Sequence, residues 1–477
     1  MRLEPRTWTR GAEVPVIDGS TSCLLEFRGT RSCSSAMTWG QQWMWREAVW
    51  FDGDHAHLNV PFTVELPHGT TLPTALTAVR VLVEQHESLR TTFAETAGDQ
   101  PRQVVASTGS LRVSVCEASP HPADHWRDQV EDALMRTAFR LDEWPIRVAI
   151  VTQDGEPRHV VVVLFHLAVD GWAVAQLRDH LVHLLRAERS PGVETGLQPH
   201  DQATYEASER GRRVAASSLA YWKQQVAGLR AECPPPASGG GGPATYREMY
   251  MESRALAEAI CRLSEVYRVG APTLMLTIWS ALLGLRSPAR KCESMIYCSN
   301  RVGPRRRAAA GTFVQDTPFS VDVRGLSFPE LLSATVRSAL LAYRHGQYDP
   351  RAVARLVYGH SGEARHCVGL PFSINLNLSG EVPCRAAAGG TPASSPGDTI
   401  LRWTRDLSQD RMGRRVYLVT FARPPALGCL LRADTSFLTP AEIDVFLRAM
   451  ESLALAAAKR PRLTAQDMSG VVRDLTA

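Results

Sequence analysis

The chain has 477 residues, more than one hydrophobic core usually organises, so two or more lobes with a cleft between them are expected. A hydrophobic content of 44% and a charged content of 21% are ordinary for a globular protein and exclude disorder as its main theme. A formal charge of +4 with a pI near 8.5 is too mild for a dedicated nucleic-acid binder, so no nucleic-acid partner is expected.

The N-terminal stretch Met1 to Val14 is broken by Pro5 and several charges and shows no apolar core of a signal peptide. Residues 1–34 read as an extension rich in Pro, Gly and Ser, with one strand over Ser20 to Phe27. Met37 to Trp45 then predicts an amphipathic helix that buries its Trp residues. A second helix begins near Pro73, with Leu76, Val79, Leu82, Val83 and His86 on one face, and ends in His86-Glu87-Ser88-Leu89-Arg90-Thr91-Thr92-Phe93. Phe139-Arg140-Leu141 and Pro145-Ile146-Arg147-Val148 lead into a strand.

The most informative segment follows. Val160 to Leu164 is a short run rich in β-branched residues, the pattern of a buried strand, and Phe165-His166-Leu167-Ala168-Val169-Asp170-Gly171-Trp172 comes directly after it. Asp170-Gly171 is turn chemistry, and Trp172 onward reads as a helix with Trp172, Leu177, Leu181, Leu184 and Leu185 on one face. A His on a loop at the end of a buried strand can serve as a general base, with a carboxylate behind it and a Gly that lets a substrate come close to the backbone. His180 and His183 lie on the following helix without an acidic third ligand and are assigned to its polar face.

Tyr221-Trp222-Lys223 closes another helix, and Gly228 to Tyr246 holds a run of Pro and a run of Gly, the plainest linker in the chain. The lobe boundary is placed there, giving an N-terminal lobe over 35–228, a linker over 229–246 and a C-terminal lobe over 247–477. Helices over Ala255 to Val266 and Ala271 to Leu285 precede a strand over Ser294 to Ser299, then Asn300-Arg301. Ala271 to Leu285 is apolar, but about fifteen residues fall short of the roughly twenty that span a bilayer, so no membrane association is expected. Farther on come Gly311-Thr312-Phe313-Val314-Gln315-Asp316-Thr317-Pro318, then His345-Gly346-Gln347-Tyr348-Asp349, and a surface insertion over Ser379 to Asp398. The ten Cys are scattered without a Cys-x-x-Cys pair, which fits reduced thiols in a cytoplasmic protein and no metal site. Arg210, Arg212 and Arg213, and Arg305 to Arg307, read as solvated basic surface.

Together these segments resemble the condensation domains of nonribosomal peptide synthetases. His166, Asp170 and Gly171 match the family's His-His-x-x-x-Asp-Gly motif, whose second His is the functional one, while Phe165 replaces the first. The Gln of the Met37 helix resembles the opening motif. His86 to Phe93 resembles the second, with Gln85 in place of its Arg, and Phe139 to Val148 resembles the family's next segment, with Arg140 in place of Asp. Gly311 to Pro318 looks like the fifth motif with register differences at Gln315 and Asp316, and His345 to Asp349 is loosely similar to the sixth. The order of motifs is preserved from residue 35 to about 460, which is more specific than any single match.

The resemblance implies an α/β sandwich fold, two chloramphenicol acetyltransferase-like lobes forming a V-shaped pseudo-dimer. It also implies an enzyme that joins an acyl or aminoacyl thioester, carried on a partner protein's phosphopantetheine, to an amine or hydroxyl acceptor. In that reading His166 orients the nucleophile and takes its proton, and Asp170 holds the loop through an ion pair with Arg301. Gly171 leaves room for the thioester, with neighbouring N–H groups for the oxyanion, while Phe165 and Trp172 support the site. The expected partners are an acyl or peptidyl carrier protein, for which the basic surface would help docking, and a small amine or alcohol. No cofactor is bound by the chain itself, and a free-standing monomer is expected. Two alternatives remain: an acyltransferase of the same fold using acyl-coenzyme A, against which the missing Asp-Phe-Gly-Trp-Gly motif argues, and a non-catalytic carrier-binding module, against which His166 and Asp170 argue.

Overall fold

The structure, a computed structural model, describes residues 17, 19–50, 55–94, 101–186, 196–228, 246–358, 370, 372–378, 399–407 and 415–473. The chain divides into two units, one formed by Met1–Ala216, Ser299–Gln315 and Tyr348–Pro350, the other by Ser217–Cys298, Asp316–Gln347 and Arg351–Ala477.

The first unit runs β1 (Thr21–Arg28), β2 (Cys33–Ala36), α1 (Trp39–Trp50), β3 (Asn59–Glu65), α2 (Leu72–Gln85), β4 (Thr91–Ala94), β5 (Arg102–Val105), β6 (Thr108–Glu117), α3 (Ala123–Arg136), β7 (Ile146–Gln153), β8 (Glu156–Phe165), α4 (Gly171–Leu185), α5 (Pro199–Ala207) and the start of α6 (Glu209–Gly228). Its main sheet has the order β1-β6-β7-β8-β3, antiparallel except for the β6–β7 pair, and a small sheet has the order β2-β5-β4. β7 and β8 sit inside the main sheet and are buried almost from end to end, which is why Val160 to Leu164 is a continuous apolar run instead of an alternation. Pro61 is tolerated because β3 is an edge strand.

Helix α2 starts where Thr71 accepts a hydrogen bond from the Thr74 N–H at 3.3 Å, with Pro73 in its first turn. Ala75, Ala78, Val79, Leu82 and Val83 form its buried face, and it packs against β1 and α4. Leu76, expected on that face, is half-buried.

In the second unit, β9 (Tyr246–Ser253), α7 (Arg254–Tyr267), α8 (Ala271–Arg286) and β10 (Lys291–Cys298) come first. The one-turn α9 (Pro304–Arg307) belongs to the first unit; β11 (Gln315–Asp322), α10 (Phe328–Arg344), α11 (Pro350–Tyr358), β12 (Phe372–Asn377), β13 (Ile400–Leu407), β14 (Val416–Arg423), β15 (Ala426–Asp434), α12 (Pro440–Lys459) and α13 (Ala465–Arg473) complete the chain. The sheet here has seven strands in the order β11-β10-β12-β14-β15-β9-β13, with β10, β12 and β14 parallel. Helix α8 is buried from Leu274 to Gly284, the reason its sequence is apolar all round. Among the described residues no single helix is long and apolar enough to cross a membrane; α7 and α8 pass that test only as a pair bent by 106°.

Several expectations shift against this architecture. β1 is the strand expected over Ser20 to Phe27, but it and the beginning of β2, inside the stretch read as an extension, are paired in sheets. The linker over 229–246 falls, except for Tyr246 at the head of β9, outside the described residues, as does the insertion at 379–398. Residues 299–315, Arg301 among them, were expected in the C-terminal lobe but belong to the first unit. Cys261 departs from the reading of uniformly reduced thiols, being disulfide-bonded, whereas Cys23, Cys33, Cys116, Cys292, Cys298 and Cys429 are free.

Candidate active site

Strand β8 ends at Phe165 and the chain turns at once. The N–H groups of Ala168 and Val169 both reach the Phe165 carbonyl, at 2.9 and 3.3 Å, closing a tight loop that carries His166 on its outer corner. The loop is pinned at His166 from two sides. Its N–H donates to the Leu58 carbonyl at 2.9 Å, and its own carbonyl accepts from the Thr312 hydroxyl at 2.8 Å. The residue is half-buried, and its Nδ1 is buried without a hydrogen-bond partner among the described residues.

Asp170 does not touch that imidazole. Its Oδ1 accepts from Arg301 Nη2 at 2.6 Å and from the Ala173 N–H at 2.9 Å, and its Oδ2 accepts from the Phe313 N–H at 3.0 Å. The contact with Ala173 makes Asp170 the N-cap of α4, a role that Asp ahead of an apolar helix commonly takes. Arg301 is equally committed: Nη1 donates to the carbonyls of Arg306 and Ala309 at 2.9 and 2.6 Å, Nη2 also donates to the Gly311 carbonyl at 2.8 Å, and the guanidinium lies 4.7 Å from the Phe313 ring centroid. The side chains of Arg301 and Asp170 are 1% and 4% exposed, so their charges compensate each other away from water. No His–Asp relay is formed in this geometry, since the carboxylate is held by Arg301, Ala173 and Phe313 and the His166 Nδ1 has no hydrogen-bond partner among the described residues.

The remaining predicted residues fall around this core. Phe165 is buried, stacked on Phe139 with ring centroids 5.4 Å apart and edge-on to Phe93 at 6.5 Å, so an aromatic there serves packing. The Phe139 ring is covered on its own account by the Arg147 guanidinium at 3.9 Å, which explains the pairing of those two residues in sequence. Trp172 is half-buried and donates its indole N–H to the Arg307 carbonyl at 3.0 Å. Gly171 is exposed, and a Cβ there would meet nothing within 4 Å, so space and not backbone conformation is what the position offers. As first-turn residues of α4, Gly171 and Trp172 have N–H groups without intrahelical partners.

Two contributors were not singled out from sequence. Thr312, inside the Gly311 to Pro318 segment, holds the His166 carbonyl. Gly40, in the first turn of α1, lies so close to Thr312 that a Cβ would overlap its carbonyl. The Gly beside the Gln pair of α1 was the available signal, but its partner lies far along the chain. One assignment is corrected: His180 is not on a polar face but buried, its Nδ1 2.8 Å from Nε2 of the equally buried His86. It shares the inward stripe of Leu177 and Leu181. Among the described residues no group of His, Cys, Asp and Glu is placed to hold a metal ion.

The sequence model of the Condensation domain family matches residues 36–379. The chain belongs to the condensation-domain family. A linear gramicidin synthase of Brevibacillus parabrevis is 28% identical over 239 residues, covering 48% of this chain and 5% of that protein. A probable nonribosomal peptide synthetase of Salinispora arenicola is 23% identical over 448 residues, covering 87% of this chain and 6% of that protein. This condensation domain thus spans only 5% and 6% of the length of these curated relatives. In three dimensions it is similar to the condensation domain of the Monacolin K polyketide synthase MokA, with a TM-score of 0.70 at 17% identity over 91% of this chain and 100% of that one. The shared fold is the chloramphenicol acetyltransferase-like α/β fold expected from the sequence. Condensation domains form amide or ester bonds between carrier-tethered substrates in nonribosomal peptide synthesis and secondary metabolism.

Proposed function

We propose that this chain joins an acyl or aminoacyl thioester, delivered on the phosphopantetheine arm of a carrier protein, to an amine or hydroxyl acceptor, with His166 as the group that touches the reacting atoms. The observation that supports this most is the separation of labour in the loop. The backbone of His166 is fixed by Leu58 and Thr312, while Asp170, Arg301 and the Phe313 N–H form a closed structural knot that leaves the imidazole out. Fixed backbone and uncommitted ring are what a positioned general base needs.

His166 accepts the proton of the acceptor N–H or O–H as that atom attacks the thioester carbonyl, the new C–N or C–O bond forms, and collapse of the tetrahedral intermediate breaks the C–S bond. The proton passes to the departing thiolate, so the imidazole ends as it began. The first-turn N–H groups of Gly171 and Trp172, which have no intrahelical partners, supply donors for the oxyanion, and the open space over Gly171 admits the thioester. Trp172 steadies the same turn through Arg307. Phe165 does not argue for a non-catalytic module, since its ring belongs to the Phe93–Phe139 cluster and takes no part in the knot.

The donor is tested by intact mass measurement of product from one acyl group and one amine, offered on a carrier protein or on coenzyme A. Faster turnover of the carrier-bound thioester, weakening with added salt as the exposed Arg305 and Arg307 are screened, is expected. Equal or faster use of the coenzyme A thioester would establish the acyltransferase reading instead.

A further inference from the structure

A buried carboxylate outside the site is wired to it through one side-chain amide. Glu206, on the inner face of α5, is 7% exposed and receives two hydrogen bonds: Gln202 Nε2 donates to Oε1 at 2.7 Å and the Trp39 N–H, at the start of α1, donates to Oε2 at 2.8 Å. Gln202, one turn earlier and 1% exposed, accepts with its own Oε1 from Arg306 Nε at 3.2 Å. Arg306 stacks over the Tyr205 ring at 4.4 Å, and its carbonyl holds Arg301 Nη1, the partner of Asp170.

We propose that Glu206 is a positioning residue whose charge state is passed through the Gln202 amide to Arg306, and from there to the segment that clamps Asp170 and His166. The step rests on the valence of the amide. A charged Glu206 takes only donors, so Gln202 turns its NH2 toward Glu206 and its carbonyl toward Arg306, as observed. A protonated Glu206 must donate, and the Gln202 amide, whose Nε2 lies 2.7 Å from Oε1, can offer its carbonyl to that proton by turning over. Turning the amide to meet it sets NH2 against the Arg306 Nε–H, donor against donor, and the hold on Arg306 is lost. The groups that face Glu206 are Gln202 from α5, the Trp39 N–H from α1, Arg306 from α9 and Asp349 from the 348–350 segment; Arg306 favours the charged form and Asp349 opposes it. Burial outweighs both bonds and Arg306 and pushes the carboxyl up to about 8, so the exchange falls at mildly alkaline pH.

The effect on turnover rests on the function proposed above; the effect on the loop does not, and it is read without substrate. Hydrogen exchange of peptides covering 166–174 and 300–313 is followed from pH 6.5 to 9.5, corrected for the intrinsic pH dependence of exchange. Protection of the wild-type segments is expected to rise at least about fivefold across the ionisation of Glu206. The rise should be absent in Glu206→Gln, which cannot ionise, and in Gln202→Leu, which keeps the carboxyl and cuts the relay. A flat wild-type profile, or a rise that persists in either variant, overturns the proposal. If the profile behaves as expected but no form of the protein makes product, the relay stands and the catalytic reading fails.

Discussion

At the scale of single residues, the site is organised around one carboxylate with three donors. Asp170 caps α4, pairs with Arg301 and receives the Phe313 N–H, so it ties a helix start to a segment about 140 positions downstream. Removing either member of a buried ion pair strands the other charge, at a typical cost of about 3 to 5 kcal/mol. Asp170→Ala and Arg301→Ala are each expected to destabilise the protein by that order in urea unfolding, and the double variant by clearly less than the two together. Additive losses would show that the pair contributes nothing as a pair. The sequence motif announced His166 and Asp170, and the family resemblance announced the Arg301 pair. The capping role of Asp170 was not drawn from the sequence, where Asp170-Gly171 was read only as a turn. Thr312 and Gly40 were not legible, since a hydroxyl bonded to a carbonyl and a backbone close approach leave no mark in periodicity or charge.

At the scale of elements, strand β8 was readable because burial on both faces favours β-branched residues, α7 because its apolar stripe is long and α8 because it is apolar on all sides. His180 was misread because its residue type was given more weight than its phase. It shares a stripe with Leu177, Leu181 and Leu185, and meets His86 just beyond the end of α2 with ring centroids 5.1 Å apart at 79°. Burial, with the neighbouring His180 adding to it, lowers His86 to about 3, and burial also lowers His180. Both are therefore neutral in the folded protein at a pH where an unfolded chain, with His near 6.5, takes up protons. Stability from this pair is complete above about 6.5 and is lost as the pH falls from there toward 3. Chemical denaturation at pH 7, 5.5 and 4.5 should show a steeper acid loss for the wild type than for a His86→Phe, His180→Leu double variant. Equal slopes would mean that the pair is not what senses acid.

At the scale of the molecule, composition and motif order together were enough to reach the family and its α/β fold, because the motifs fall where strands and helices begin or end. What local pattern could not give is the return of 299–315 to the first unit, so that the described groups of the knot, Asp170, Arg301, Gly311 and Phe313, all lie in one unit. That arrangement depends on contacts between residues far apart in sequence, to which hydrophobic periodicity is blind. We propose that this framework holds the uncommitted His166 imidazole at the reaction centre. The most direct test is the single-turnover rate of product formation by His166→Ala with saturating carrier-bound thioester and acceptor, alongside its thermal unfolding. A fall of about 10² to 10⁴ in rate with an unchanged melting temperature is predicted; a rate equal to that of the wild type would contradict the assignment of His166 to the chemistry.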